Sequence, residues 1–153
     1  MIFLHTILAL IAGKFFGHYA AFLIGSVMVD IDHLYVYLAR TPALRKDFSW
    51  KRLVDLVKNE RTYKISARTP LVHSLFGAVL FTFLVYSFAP GEALYFGVAY
   101  LSHIILDLFD KDPTYLLFPW KKPFHGPMPV WSTAEKTITV LSIVGLVLAN
   151  VFW

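Results

Sequence analysis

The chain has 153 residues, no cysteine, a hydrophobic share of 58% and a charged share of 16%, with a mean hydropathy of +0.62. A soluble domain of this size would carry about a quarter charged residues, so these figures exclude that class, disorder and any disulfide or cysteine-ligated zinc scaffold. What remains is a small polytopic membrane protein, in which the net charge of +4 reads as a topology signal rather than a nucleic-acid signal.

The spacing predicts an all-α membrane bundle of four to five membrane-embedded helices in one domain, residues 1–153. Residues 1–39 hold the first two helices. Ile2 to Gly13 is apolar but too short to span upright, Gly13 to His18 is a turn, and a second helix runs to about Ala39. Met1 to Ile11 lacks Lys and Arg, which argues against a cleaved leader. Residues 40–69 form a basic loop containing nine Lys and Arg (Arg40, Arg45, Lys46, Lys51, Arg52, Lys58, Arg61, Lys64, Arg68) against Asp47, Asp55 and Glu60. Within it Trp50, Leu53, Val54 and Val57 fall on one stripe of a basic amphipathic surface helix. A helix lying in the membrane surface and a solvated helix packed on its own protein fit that stripe equally well.

Residues 70–110 form a helical hairpin. The charge-free run Leu71 to Gly91 is long enough to cross a bilayer, Pro90-Gly91 turns the chain, and Ala93 to Leu106 returns. Residues 111–136 are Pro-rich (Pro113, Pro119, Pro123, Pro127, Pro129) and predict an ordered irregular loop. Residues 137–153 form the C-terminal helix.

The basic 40–69 loop is expected in the cytoplasm. Alternation then places Asp110 to Lys136 on the same face. His5, Asp30, Asp32, His33, His73, His103 and Asp107 all fall toward the cytoplasmic ends of their helices, although those helices run in opposite directions. Their common depth predicts one polar cluster, because ionisable groups in membrane segments pair with one another or with an ion. His103 and Asp107 at i, i+4, with Asp110 at i+7, share a helix face, as do Asp30 and His33 at i, i+3. Asp32 points elsewhere unless the helix is distorted. Nitrogen and carboxylate groups without sulfur suit zinc first, with manganese or iron as alternatives, and one to three ions. A salt-bridged network is the competing reading of the same residues. His18 reads as an interhelical hydrogen-bond partner and His125 as a loop residue.

The segments LHTILALIAG, GSVMVDIDHLY, RTPLVHSLFG, HIILDLF and YLLFPWKKPF, in that order along nearly the whole chain, resemble a family of small bacterial and archaeal inner-membrane proteins. Its members are described as membrane-bound metal-dependent hydrolases, also labelled LexA-binding inner-membrane-associated hydrolases, and are distantly like zinc-dependent phospholipase C. The resemblance implies a helical metal site that hydrolyses a phosphoester, with His5, Asp30, His73, His103 and Asp107 matching its ligands and Asp32 and His33 the rest of its acidic motif. Val29 stands where the family has Pro, and Ala67-Arg68-Thr69-Pro70 where it has a further His-Arg; the missing histidine is a missing ligand, consistent with one metal fewer than in the family.

The expected function is hydrolysis of a lipid or polyprenyl phosphate by metal-activated water in the inner membrane. Asp32 or His33 would be the general base, and Arg68, Lys121 and Lys122 would hold the headgroup phosphate. Membrane lipids are the expected partners. The alternative is a non-enzymatic protein with a structural metal or ion-pair network, or a metal-binding or transport subunit.

Overall fold

The computed structural model describes residues 2–42, 46–58, 68–120, 122–129 and 132–152, and these are helical with irregular connections and no strand. The helices are α1 (Ile2–Phe16), α2 (Tyr19–Val27), α3 (Ile31–Arg40), α4 (Trp50–Lys58), α5 (Leu75–Phe88), α6 (Pro90–Asp107) and α7 (Thr133–Phe152), with a 3-10 turn at Met28–Asp30 between α2 and α3. Gly17, at φ +76°, reverses the chain between α1 and α2, a conformation that costs glycine nothing.

α2 packs on α1 and on α6, α5 packs on α6, and α7 packs on α1. The α2–α6 contact is close because Gly25 has no side chain: a Cβ there would lie 2.5 Å from the Phe96 carbonyl oxygen. Around this contact Ala21, Val29, Ala78, Phe96, Tyr100 and Ile104 form the main buried cluster. Leu56 of α4 is buried against Tyr37 of α3 in a separate small cluster.

Among the described residues, two helical stretches are long and apolar enough to cross a membrane, Tyr19–Arg40 and Thr133–Phe152. The expected span from Leu71 is shorter as a helix. Leu71 to His73 form turns, Ser74 caps α5 by accepting from Gly77 N at 3.0 Å, and only 14 residues follow, short of the about 20 that cross a bilayer. The outer faces of α5, α6 and α7 are largely apolar. Phe83, Phe88 and Leu94 on the α5–α6 hairpin and Leu141, Val147 and Val151 on α7 are exposed, as a hydrocarbon surround requires and water does not favour.

The second predicted helix is not regular. The 3-10 turn tightens the chain between α2 and α3, which is the distortion that lets Asp32 join Asp30 and His33 on the interior side. The final helix begins at Thr133, four residues earlier than expected, and so includes Glu135 and Lys136. The Pro-rich segment is irregular but ordered by two isolated bridges, Asp110 with Met128 and Thr114 with Phe124.

Candidate metal centre

Four chain segments deliver the polar side chains to one interior point. α1 supplies His5, the 3-10 turn and α3 supply Asp30, Asp32 and His33, the stretch ahead of α5 supplies Arg68, Thr69 and His73, and α6 supplies His103 and Asp107. Asp110 and Thr114 follow from the irregular segment. His5, His73, His103, Asp107, Asp110 and Thr114 are at most 1% exposed, and Asp30, Asp32 and Arg68 are buried.

Two groups have metal-ligand spacing. One ligand atom from each of His5, His103 and Asp107 lies within 4.8 Å of the others, and the same holds for Asp30, His33 and His73. The groups touch: His103 Nε2 is 3.5 Å from Asp30 Oδ1 and 3.4 Å from Asp107 Oδ2, and His73 Nδ1 is 2.8 Å from Asp107 Oδ2.

The donor chemistry fits a cation between them. His103 Nδ1 lies 2.6 Å from the Ser26 carbonyl oxygen, which can only accept, so Nδ1 carries a proton and donates there, leaving Nε2 turned into the cluster. Nε2 faces two carboxylate oxygens and has no hydrogen-bond partner. The arrangement, a histidine whose other nitrogen is fixed by a backbone carbonyl, is how proteins orient ligating imidazoles. His5 Nδ1 and Nε2, His33 Nε2 and Asp30 Oδ2 are also buried without hydrogen-bond partners. The His5 and His103 rings stack with centroids 3.8 Å apart, and His5 Nε2 is 3.5 Å from Asp107 Oδ1.

Charge leads to the same conclusion. Four carboxylates, Asp30, Asp32, Asp107 and Asp110, are buried in the cluster, and among the described residues Arg68 is the buried Lys or Arg. Its Nη2 bridges Asp107 Oδ1 at 2.7 Å and Asp110 Oδ2 at 2.9 Å, while Nη1 donates to Thr114 Oγ1 and the Asp112 carbonyl, both at 3.1 Å. Burial penalises the guanidinium charge, but Asp107, Asp110 and Asp112 more than offset it and raise its pKa. Burial pushes the Asp110 carboxyl up, against the pull of Arg68. With all four carboxylates ionised and His5, His33 and His103 neutral as ligands, Arg68 and a protonated His73 offset two of the four charges, and one divalent cation would balance the other two.

All seven residues of the expected cluster, His5, Asp30, Asp32, His33, His73, His103 and Asp107, meet here. Their arrangement redistributes the expected roles. Asp32 Oδ2 accepts from Thr69 N and Oγ1, each at 2.7 Å, and Oδ1 is 3.2 Å from His73 Nε2. Asp32 therefore anchors the stretch ahead of α5 and orients His73, rather than standing free as a base. His33 falls among the ligand-spaced residues, its Nε2 3.7 Å from Asp30 Oδ1 and from Asp32 Oδ1. Its side chain is 28% exposed, which makes it the opening of the cluster.

Arg68 is enclosed by carboxylates and cannot reach out to a headgroup. Lys122 is exposed, and Lys121 lies outside the described residues. His18 is remote from the cluster, 3.1 Å from both Glu92 carboxylate oxygens and stacked on Tyr95. His125 Nδ1 contacts the Lys111 carbonyl oxygen at 3.1 Å.

Sequence reasoning missed the Arg68–Asp110 bridge, the Thr69 clasp on Asp32 and the Ser26 carbonyl. Arg68 offered one signal, a basic residue immediately ahead of a charge-free run. Thr69 and Ser26 offered none.

A family model described as YdjM inner membrane protein matches residues 4–152 of the chain. None of the curated proteins matches the chain, and none of the solved structures does.

Proposed function

The chain belongs to the YdjM inner membrane protein family, and from that premise and the buried His–Asp cluster we propose a metal-dependent hydrolase embedded in the inner membrane. Its substrate class is a phosphoester in a lipid or polyprenyl phosphate. The observation that carries the reading is His103 Nε2, held by the Ser26 carbonyl through the other ring nitrogen, buried without a hydrogen-bond partner and facing Asp30 and Asp107.

His5, His103 and Asp107 would hold an ion in the closed half, and Asp30, His33 and His73 would complete the centre in the half that opens to the surface. Zinc suits this donor set first. A divalent ion there supplies Lewis-acid polarisation of a phosphoryl oxygen and a lowered pKa for water. The chain supplies the rest. Ser26 fixes the His103 tautomer, and Arg68 holds Asp107 in place while countering part of its charge. Asp32, clasped by Thr69, aims His73. His33, whose ring reaches the surface while Nε2 faces Asp30 and Asp32, closes the centre at its opening and leaves room beside its ring for the substrate to approach. The apolar exterior excludes water around the cluster and admits a lipid from the side.

The same reading has α1, α2–α3, α5, α6 and α7 embedded in the bilayer, with the cluster toward the cytoplasmic face. Its support is the Lys and Arg content of residues 40–68 and the apolar outer surfaces of α5 and α7.

A structural ion-pair network is the second reading, favoured by one observation: Arg68 already bridges two of the carboxylates. The test is hydrolysis of lipid phosphates by protein stripped of metal and reloaded with zinc, manganese or iron. Restoration by one of these ions supports the hydrolase. No turnover with any ion, in protein shown to have bound it, supports the structural network.

A further inference from the structure

The apolar stripe of α4 is divided between two environments. Along one edge Leu56 is buried and Leu53 packs beside it, against Tyr37 and Leu38 of α3. Tyr37 lies four residues beyond His33, so this contact fixes α4 at the same end of the bundle as the opening of the cluster. The other edge is bare. Trp50 is 70% exposed, Val54 47%, and Phe48, just ahead of the helix, 46%. Phe48 and Trp50 meet edge to face with ring centroids 5.1 Å apart, forming one aromatic body on the surface.

Charge surrounds this body. Lys46 and Lys51 are exposed beside it. Asp47 is neutralised by Arg52, whose Nη1 is 2.6 Å from Oδ2. An indole beside lysines, level with the end of an apolar bundle, has the chemistry of the headgroup boundary, where Trp is enriched and each Lys near an anionic leaflet adds attraction. The apolar faces of α5 and α7 and the inner-membrane family put a bilayer within reach.

We propose that the Phe48–Trp50–Val54 edge of α4 docks on the anionic headgroup layer of the leaflet at the cluster's end, rings at the acyl boundary and Lys46 and Lys51 on phosphates. The docking sets the depth of α3 in that leaflet and brings headgroups level with His33. It does not depend on any metal, so it stands or fails separately from the hydrolase reading.

The chain has no cysteine, so Val54→Cys and Arg52→Cys each create a single labelling site, on opposite sides of α4. Each is labelled with a polarity-sensitive fluorophore in the full chain, reconstituted in vesicles of phosphatidylcholine alone or with phosphatidylglycerol. With phosphatidylglycerol, the label at 54 should be blue-shifted, quenched by lipid spin-labelled near the headgroup and shielded from aqueous acrylamide. The label at 52 should remain in water. The shielding at 54 should fall several-fold without phosphatidylglycerol, and Lys46→Gln with Lys51→Gln should reproduce that fall in its presence. Equal water access at 54 and 52 in anionic vesicles overturns the proposal. So does shielding at 54 that follows protein concentration instead of lipid charge, the mark of a second copy of the chain.

Discussion

Replacing Arg68 by Ala removes the guanidinium that joins Asp107 to Asp110 and leaves both carboxylates, each 1% exposed, without their nearest cation. Breaking a buried ion pair from one side costs about 3–5 kcal/mol, because the partner stays buried and unpaired. At about 2–4 °C per kcal/mol for a chain of this length, thermal unfolding in detergent should fall by on the order of ten degrees. Asp107 also faces the proposed ion, so a bound cation shields it in part. The loss should therefore lie toward the lower end with metal present and grow after chelation. Arg68→Lys should recover only part, since an ammonium cannot reproduce the planar fork that reaches Asp107, Asp110, Thr114 and the Asp112 carbonyl together. Asp110→Asn in the Arg68→Ala background should recover some of the stability, because one orphaned charge is then gone. If Arg68→Ala unfolds within a degree or two of wild type, with and without chelator, the carboxylates do not depend on Arg68 and the charge argument fails.

Gly25→Val should destabilise by about 1–3 kcal/mol, because its Cβ would meet the Phe96 carbonyl oxygen at 2.5 Å; unfolding in detergent unchanged from wild type would contradict the close α2–α6 contact. His18→Ala should retain metal and cost less than about 1 kcal/mol, since its partner Glu92 is 45% exposed; a loss of metal in this variant would contradict the location of the centre. Single cysteines placed in residues 46–58 and in residues 111–120 should react with a membrane-impermeant maleimide from the same side in sealed vesicles; labelling from opposite sides would contradict the proposed topology.

Much of the cluster is legible because two constraints act at once. Spacing puts His103 and Asp107 on one face, and alternation of helix direction puts His5, Asp30 and His73 at their depth. A sequence supplies both without knowledge of packing. What could not be read depends on distortion or on distant partners. Asp32 joins the cluster only through the 3-10 turn at Met28–Asp30, where no Gly or Pro marks the change. Arg68 finds Asp107 and Asp110 across about forty residues, and no local pattern announces which cation a buried carboxylate will take. The helix expected from Leu71 is delayed to Leu75 because Thr69 and His73 are drawn to Asp32, a tertiary demand that overrides an apolar run. The amphipathic stripe of α4 suggested both a membrane-surface helix and one packed on its own protein. Tyr37 covers one edge of it and leaves the other bare, so packing on its own protein accounts for one edge and the proposed headgroup docking addresses the other.

The hydrolase reading rests on His103 Nε2, fixed by the Ser26 carbonyl and facing Asp30 and Asp107, as a ligand of a metal ion. Elemental analysis of the purified chain beside His103→Ala tests it most directly. At least one divalent ion per wild-type chain is expected, and its loss from His103→Ala together with lower thermal stability, because carboxylates deprived of the ion would stand uncompensated in a poorly hydrated pocket. If both proteins purify equally metal-free and equally stable, the cluster is an ion-paired network and the metal reading is wrong.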